Sequence, residues 1–192
     1  TIPTVIFAFI GDGVQRTFMP IYSSTLNEKG PKGANTFTNN VLNIILIVSI
    51  ILSILIFVGA EQLVNIFASG FDEKTVEIAT TLSKISSFSI VFIGSTYIFQ
   101  GYLQMNNRFA IPALISLPYN IILMASIIIS TKFGLNILAI GIVVAYFSEI
   151  AFMMPLLRRN SYKYLPVIDF KDRNLKEMIS LIIPLTWGSS VV

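Results

Sequence analysis

Residues 41–60 read VLNIILIVSIILSILIFVGA, an almost unbroken run of Ile, Leu and Val without a single charge. In a helix, about 20 apolar residues cross the hydrocarbon core of a bilayer, so this stretch predicts a membrane span. The uncharged region around it is longer still, from residue 33 to residue 60. A second uncharged run covers 85–107 and carries Phe88, Phe92, Tyr97, Phe99 and Tyr102. Arg108 interrupts it. A third run then covers 109–131 and a fourth 133–157, the last broken only by Glu149. None of these runs alternates apolar and polar residues with period two, which argues against a β-barrel. Four complete spans follow from hydropathy.

The two ends are less regular. Residues 1–22 are apolar except for Asp12 and Arg16, and residues 178–192 are apolar but too short to cross. The expectation is an all-α, polytopic transmembrane helix bundle of about six helices. Its spans fall near 1–22, 37–60, 85–105, 111–131, 134–157 and, truncated, 178–192. The chain opens on Thr1 and stops at Val192, each within an apolar stretch, and so reads as a fragment of a longer protein. A signal peptide is not expected at the start, where there is neither a basic n-region nor a small-residue cleavage site.

Composition supports a membrane protein. Of the 192 residues, 54% are hydrophobic and 12% charged, with a mean hydropathy of +0.78. Soluble domains carry roughly a quarter charged residues. The absence of cysteine excludes disulfides and thiolate metal sites, and the absence of histidine removes the commonest general base and metal ligand. No Walker loop, dinucleotide fingerprint or metal-ligand spacing occurs. No cofactor and no metal are therefore expected.

The formal charge of +3 reads as an orientation signal. Lys29, Lys32, Arg108, Arg158, Arg159, Lys163, Lys171, Arg173 and Lys176 fall in one set of alternate connections, and Lys74, Lys84 and Lys132 in the other. The richer set belongs in the cytoplasm by the positive-inside rule. Because these charges sit at membrane boundaries rather than on one soluble face, no nucleic-acid partner is expected.

Several polar residues within the spans are candidates for function. Asp12 and Arg16 are four apart and can pair on one helix face. Charges in a span each cost roughly 2.5–3.5 kcal/mol on insertion scales, so the pair forms either a polar cavity wall or a helix end reaching the headgroups. Gly11 and Gly13 favour the cavity wall. Glu149 lies about eight residues before the basic cluster at Arg158, roughly 12–14 Å deep at helical rise, and should face inward. It serves either proton coupling or a structural hydrogen bond. Pro20, Pro112, Pro118, Pro155 and Pro184 lie in or at the ends of spans and predict bent helices, each with or without a role in transport. The connection 158–177 mixes basic residues with Tyr162, Tyr164, Leu165, Val167, Ile168 and Phe170. Such a mixture suits a segment at the membrane interface, acting as a topological anchor or binding lipid.

Five stretches together resemble the MurJ (MviN) lipid II flippase family of the multidrug/oligosaccharidyl-lipid/polysaccharide exporter superfamily. The opening IPTVIFAFIGDGVQRTFMPIYS, with Phe18 to Pro20 at its end, is similar to that family's second transmembrane helix. ASGF at 68–71 resembles its Ala-Pro-Gly-Phe, and GYLQMNNRFAIPALISLPYNI at 101–121 its run of Leu-Asn, Arg-Phe, Pro-Ala and Asn-Ile. The helix end at 155–159 and PVIDFKDRNLKEMISLIIP complete the match.

The resemblance implies that the chain holds helices two to seven of about fourteen, mainly the N-terminal lobe of a two-lobed transporter with a cationic central cavity. It also implies that Asp12, Arg16, Glu149 and Asn120 line the substrate cavity. Asp12 stands where family members carry a glutamate, and Glu149 where some carry glutamine. The implied activity is translocation of a lipid-linked peptidoglycan precursor across the cytoplasmic membrane, with that precursor and membrane lipids as partners and without enzymatic chemistry. A polysaccharide-lipid or multidrug exporter of the same superfamily is the nearest alternative. A membrane-embedded enzyme or assembly scaffold is more distant.

Overall fold

The computed structural model describes residues 2–67, 70 and 72–188; for residues 2–10, 12, 111 and 183–188 it describes the helix but not the side chains. Described residues form helices joined by short turns, apart from one extended connection at 162–169.

The first helical element, α1 (Ile2–Val58), is two helices meeting at Gly30, whose φ of 69° and ψ of −174° are non-helical. Glycine adopts this positive φ without a Cβ clash, and Pro31 then starts the next helix, where its missing N–H has no intrahelical partner to lose. The chain folds back on itself here. Gly11 and Val14 of the first arm share a cavity wall with Ile44, Ile45 and Val48 of the second, and the Phe18 and Phe37 rings stack at 5.7 Å. A loop was expected between the spans at 1–22 and 37–60, yet helix persists on both sides of this one-residue break.

After α2 (Ala60–Phe67) come α3 (Glu73–Ser87) and α4 (Ser89–Met105), bent by 41° relative to each other. The bend has a local cause. Ser86, Ser87 and Ser89 each turn a hydroxyl back onto a backbone carbonyl, of Leu82, Lys84 and Ser86 respectively, and such back-bonding bends helices. The apolar run that begins at 85 is therefore preceded by a further helix, α3, that the hydropathy pattern did not predict.

Next, α5 (Ala110–Leu114) and α6 (Ser116–Phe133) are interrupted at Ile115, three residues before Pro118, which cannot donate a helical hydrogen bond. The last two helices are α7 (Asn136–Arg159) and α8 (Arg173–Gly188). Among the described residues, three helices are long and apolar enough to cross a membrane, or four if α3 and α4 form one broken span.

The main core gathers Phe18 and Tyr22 from the first arm of α1, Phe37 and Val41 from the second, Ile98, Tyr102 and Leu103 from α4, Met153 and Leu157 from α7, and Leu175 and Met178 from α8. Helix α6 packs on α7 and buries little besides Ser126. At their closest approach a Cβ on Gly141 would overlap the Ser126 side chain, the small-residue contact by which membrane helices pack. Ile47, Ile50, Ile51, Ile54 and Leu55 of α1 and Leu117, Ile121, Met124 and Ile128 of α6 are exposed, an apolar surface suited to lipid rather than water.

Candidate functional site

Two polar constellations occur within this apolar frame. The first centres on Glu149 in α7, which is buried to 9% exposure. It lies beside Thr96 of α4, whose buried hydroxyl has no well-formed hydrogen bond among the described residues. One turn earlier, Tyr146 packs its ring 4.8 Å from that of Tyr119 in α6. A carboxyl, a hydroxyl and two phenols thus meet where α4, α6 and α7 converge. Gly11 of α1 abuts the ring of Tyr97, the neighbour of Thr96, so closely that a Cβ there would overlap it.

The other residues singled out from the sequence are not drawn into this cluster in the same way. Arg16 is exposed on the first arm of α1, and Asn120 is exposed on α6 beside Tyr119. The side chain of Asp12 lies outside the described residues.

The second constellation was not anticipated. The extended connection between α7 and α8 lies along the second arm of α1, held by four asparagines. Asn35 donates to the Lys163 carbonyl at 2.8 Å and accepts from the Lys163 N–H at 3.2 Å. Asn39 donates to the same carbonyl and accepts from the Leu165 N–H and the Tyr162 hydroxyl. Asn43 donates to the carbonyls of Leu165 and Val167 and accepts from the Tyr164 hydroxyl. Asn40 pairs both ways with the backbone of Asp169.

A primary amide carries a donor and an acceptor much as a peptide group does. The registers also match: four helical residues rise about 6.0 Å, close to the roughly 6.6 Å of two extended residues. Asn35, Asn39 and Asn43 therefore meet the backbone at 163, 165 and 167 in step, as a neighbouring strand would. Pairing of this kind satisfies backbone groups that would be costly to leave open near lipid. The sequence signal was present in four asparagines, at 35, 39, 40 and 43, at the start of an otherwise Ile- and Leu-rich span.

Beyond this ladder the same end is tied together further. The Tyr102 hydroxyl donates to the Asn160 carbonyl, Arg108 donates to the Asn160 side chain, and Asn174 donates to the buried Thr25 hydroxyl at 2.6 Å. Burial pushes the Tyr162 phenol above its ordinary pKa. This end collects the nine basic residues of the richer set. At the other end, Lys74 and Glu77 face Leu135 and Asn136 across one cavity, while Glu61 and Glu73 border another. There Asp72 caps α3 through the Thr75 N–H and hydroxyl, and the Thr75 hydroxyl holds its carboxyl below the usual range.

The chain resembles known proteins along its whole length. A family model described as "Lipid II flippase MurJ" matches residues 1–192. The lipid II flippase MurJ of Thermosipho africanus is 32% identical over 135 residues, covering 70% of this chain and 28% of that protein. The probable lipid II flippase MurJ of Buchnera aphidicola subsp. Schizaphis graminum is 26% identical over 194 residues, covering 98% and 38%. A solved structure described as lipid II flippase MurJ in an inward closed conformation superposes with a TM-score of 0.75 at 26% identity, over 97% of this chain and 38% of that one. The chain spans well under half the length of these relatives. Matched from its first residue to its last, and sharing the helix arrangement of a solved member, the chain belongs to the lipid II flippase MurJ family.

Proposed function

We propose that this chain forms part of the N-terminal lobe of a flippase that moves a lipid-linked peptidoglycan precursor across the bacterial cytoplasmic membrane. The family match along the whole chain carries this reading. Translocation makes and breaks no bond in the cargo, so the residues needed are those that solvate a polar headgroup within a bilayer and allow two lobes to rock about it. Arg16, exposed on the first arm of α1, is assigned to the cavity as a cation for the precursor's pyrophosphate, with Asp12 nearby in sequence and Asn120 on α6 as further cavity residues. Glu149, buried beside Thr96, supports the cavity as a polar link between α7 and α4. The end bearing the asparagine ladder faces the cytoplasm.

The test is outward exposure of the precursor in cells depleted of their own flippase and supplied with the full-length protein containing this chain. Restored exposure is the expected result. Normal insertion without restored exposure overturns the assignment and favours a polysaccharide-lipid or drug exporter.

A further inference from the structure

The asparagine ladder also fixes the path of the connection it holds. Lys163 pairs with Asn35, Leu165 with Asn39 and Asn43, and Val167 with Asn43, after which Asp169 returns to Asn40. At helical rise, the connection thus advances about 12 Å along the second arm of α1 and then turns back by about 4–5 Å. The reversal falls at Pro166, where the Val167 N–H donates to the Leu165 carbonyl at 2.8 Å, closing a three-residue γ-turn. The uninterrupted apolar run of α1 starts at Val41, so this turn is the deepest part of the connection. Ile47, the first exposed large apolar residue of that run, lies one helical turn beyond Asn43.

Polarity is graded along the same path. Tyr164, Ile168 and Phe170 are 59%, 51% and 62% exposed, with Leu165 and Pro166 exposed beside them. Lys163, at the shallow level of Asn35, precedes this apolar turn, and Lys171 follows it on the return. Arg158 and Arg159 end α7, and Arg173 and Lys176 open α8; all six cations are exposed. Apolar side chains placed deep and cations placed shallow repeat the order in which a bilayer presents its acyl chains and headgroups.

The charge has a definite sign. Between 158 and 176 six cations face two carboxylates, and both carboxylates already accept from main-chain N–H groups, Asp169 from Lys171 and Asp172 from Asn174. They shape the backbone and leave a positive surface. Because the asparagines hold the segment in place, little ordering remains to be done when a partner binds. We propose that the connection 162–171, with the adjoining ends of α7 and α8, is a preformed binding surface for anionic phospholipid. Its apolar turn enters the acyl-chain boundary, and its lysines and arginines meet the phosphates. This surface needs neither cargo nor a second lobe, and so goes beyond the flippase reading.

The test uses the full-length protein with a single cysteine, Ile168→Cys, carrying a bimane fluorophore, in phosphatidylcholine vesicles free of precursor. Brominated phosphatidylglycerol and brominated phosphatidylcholine, at equal mole fraction, are the quenchers. Both should quench, the phosphatidylglycerol about threefold more strongly, because each cation near the surface adds to the attraction. Raised salt should bring the two lipids toward parity, as should Lys163→Gln/Lys171→Gln. Lys163 meets the ladder only through its backbone, so that variant keeps the fold. Arg173→Gln/Lys176→Gln, on α8, provides a second variant and should also reduce the preference. The same fluorophore on Ile66→Cys, at the exposed opposite end, should show no preference. Absence of quenching at 168 would mean that the segment lies in water or beneath another part of the protein, and overturns the proposal. So does equal quenching by the two lipids, an equal preference at 66, or a preference that survives salt and both double variants.

Discussion

Asn40 and Asp169 stand 129 positions apart, yet the Asn40 amide nitrogen donates to the Asp169 carbonyl at 2.9 Å while its oxygen accepts from the Asp169 N–H at 2.7 Å. A side chain on a helix here pairs with a main chain as one β-strand pairs with another. Asn40→Ala should leave both backbone groups unpaired and destabilise the protein by about 1–3 kcal/mol. Asn40→Asp keeps the acceptor but sets a carboxylate against a carbonyl, and should be at least as harmful. Thermal unfolding in detergent, with amide exchange read at 163–169, checks both. Unchanged exchange in that segment would contradict the pairing.

Contact between α6 and α7 depends on the missing side chain of Gly141. Gly141→Val forces its branched side chain into Ser126 and should cost about 1–3 kcal/mol through overpacking. Gly134→Ala is a poor control, because its φ of 96° is unfavourable for alanine. Ala151, exposed on the same helix, is better: Ala151→Val should be close to neutral in the same melting assay.

Topology can be read by chemical labelling. Single cysteines at Lys29, Arg108 and Lys171 should be shielded from an impermeant thiol reagent in intact cells, and those at Lys74 and Lys132 labelled. All five positions are exposed, so accessibility reports the side of the membrane rather than burial. Labelling at 108 without labelling at 74 would invert the orientation.

Substrate handling should separate two cations. Arg16→Ala in the full-length protein should reduce precursor exposure severalfold, while Lys29→Ala, beside the Gly30 turn, should leave it near normal. Equal loss in both variants would assign Arg16 no special part in binding the pyrophosphate.

Acid should loosen the start of α3. The Asp72 carboxyl is held below its ordinary value of 3.8 by the Thr75 hydroxyl. A carboxyl lowered by folding binds fewer protons folded than unfolded, so its contribution is complete above the ordinary value and fades as pH falls through the folded one. Protection of the Thr75 and Val76 amides, relative to their intrinsic exchange rates at each pH, should therefore fall in that acid window. In Asp72→Asn that pH dependence should vanish.

Much of the bundle was readable from its apolar runs, because a span needs length and lack of charge and both are local properties. Gly30 was harder. Residues 23–36 are polar enough to read as a loop, but only Gly30 has a non-helical backbone there. The bend after α3 was hidden because a serine that bonds its own helix looks in sequence like one that faces water. Burial of Glu149 followed from its depth, whereas its neighbour Thr96 and the nearby phenols of Tyr119 and Tyr146 depend on how three helices meet. The asparagine ladder was least accessible. Its period matches an extended segment more than 120 positions away, and no local pattern announces such a partner.

That separation also bears on assembly. The arm carrying Asn35, Asn39, Asn40 and Asn43 is synthesised long before residues 163–169 exist, so its amides must wait, hydrated or transiently paired, while three further helical segments enter the bilayer. Only when α7 has been placed can the following connection settle onto them. Closure of the ladder is thus a late event that reports correct placement of everything between. A helix inserted in the wrong direction would carry the connection to the opposite end of the bundle and leave the amides unclaimed.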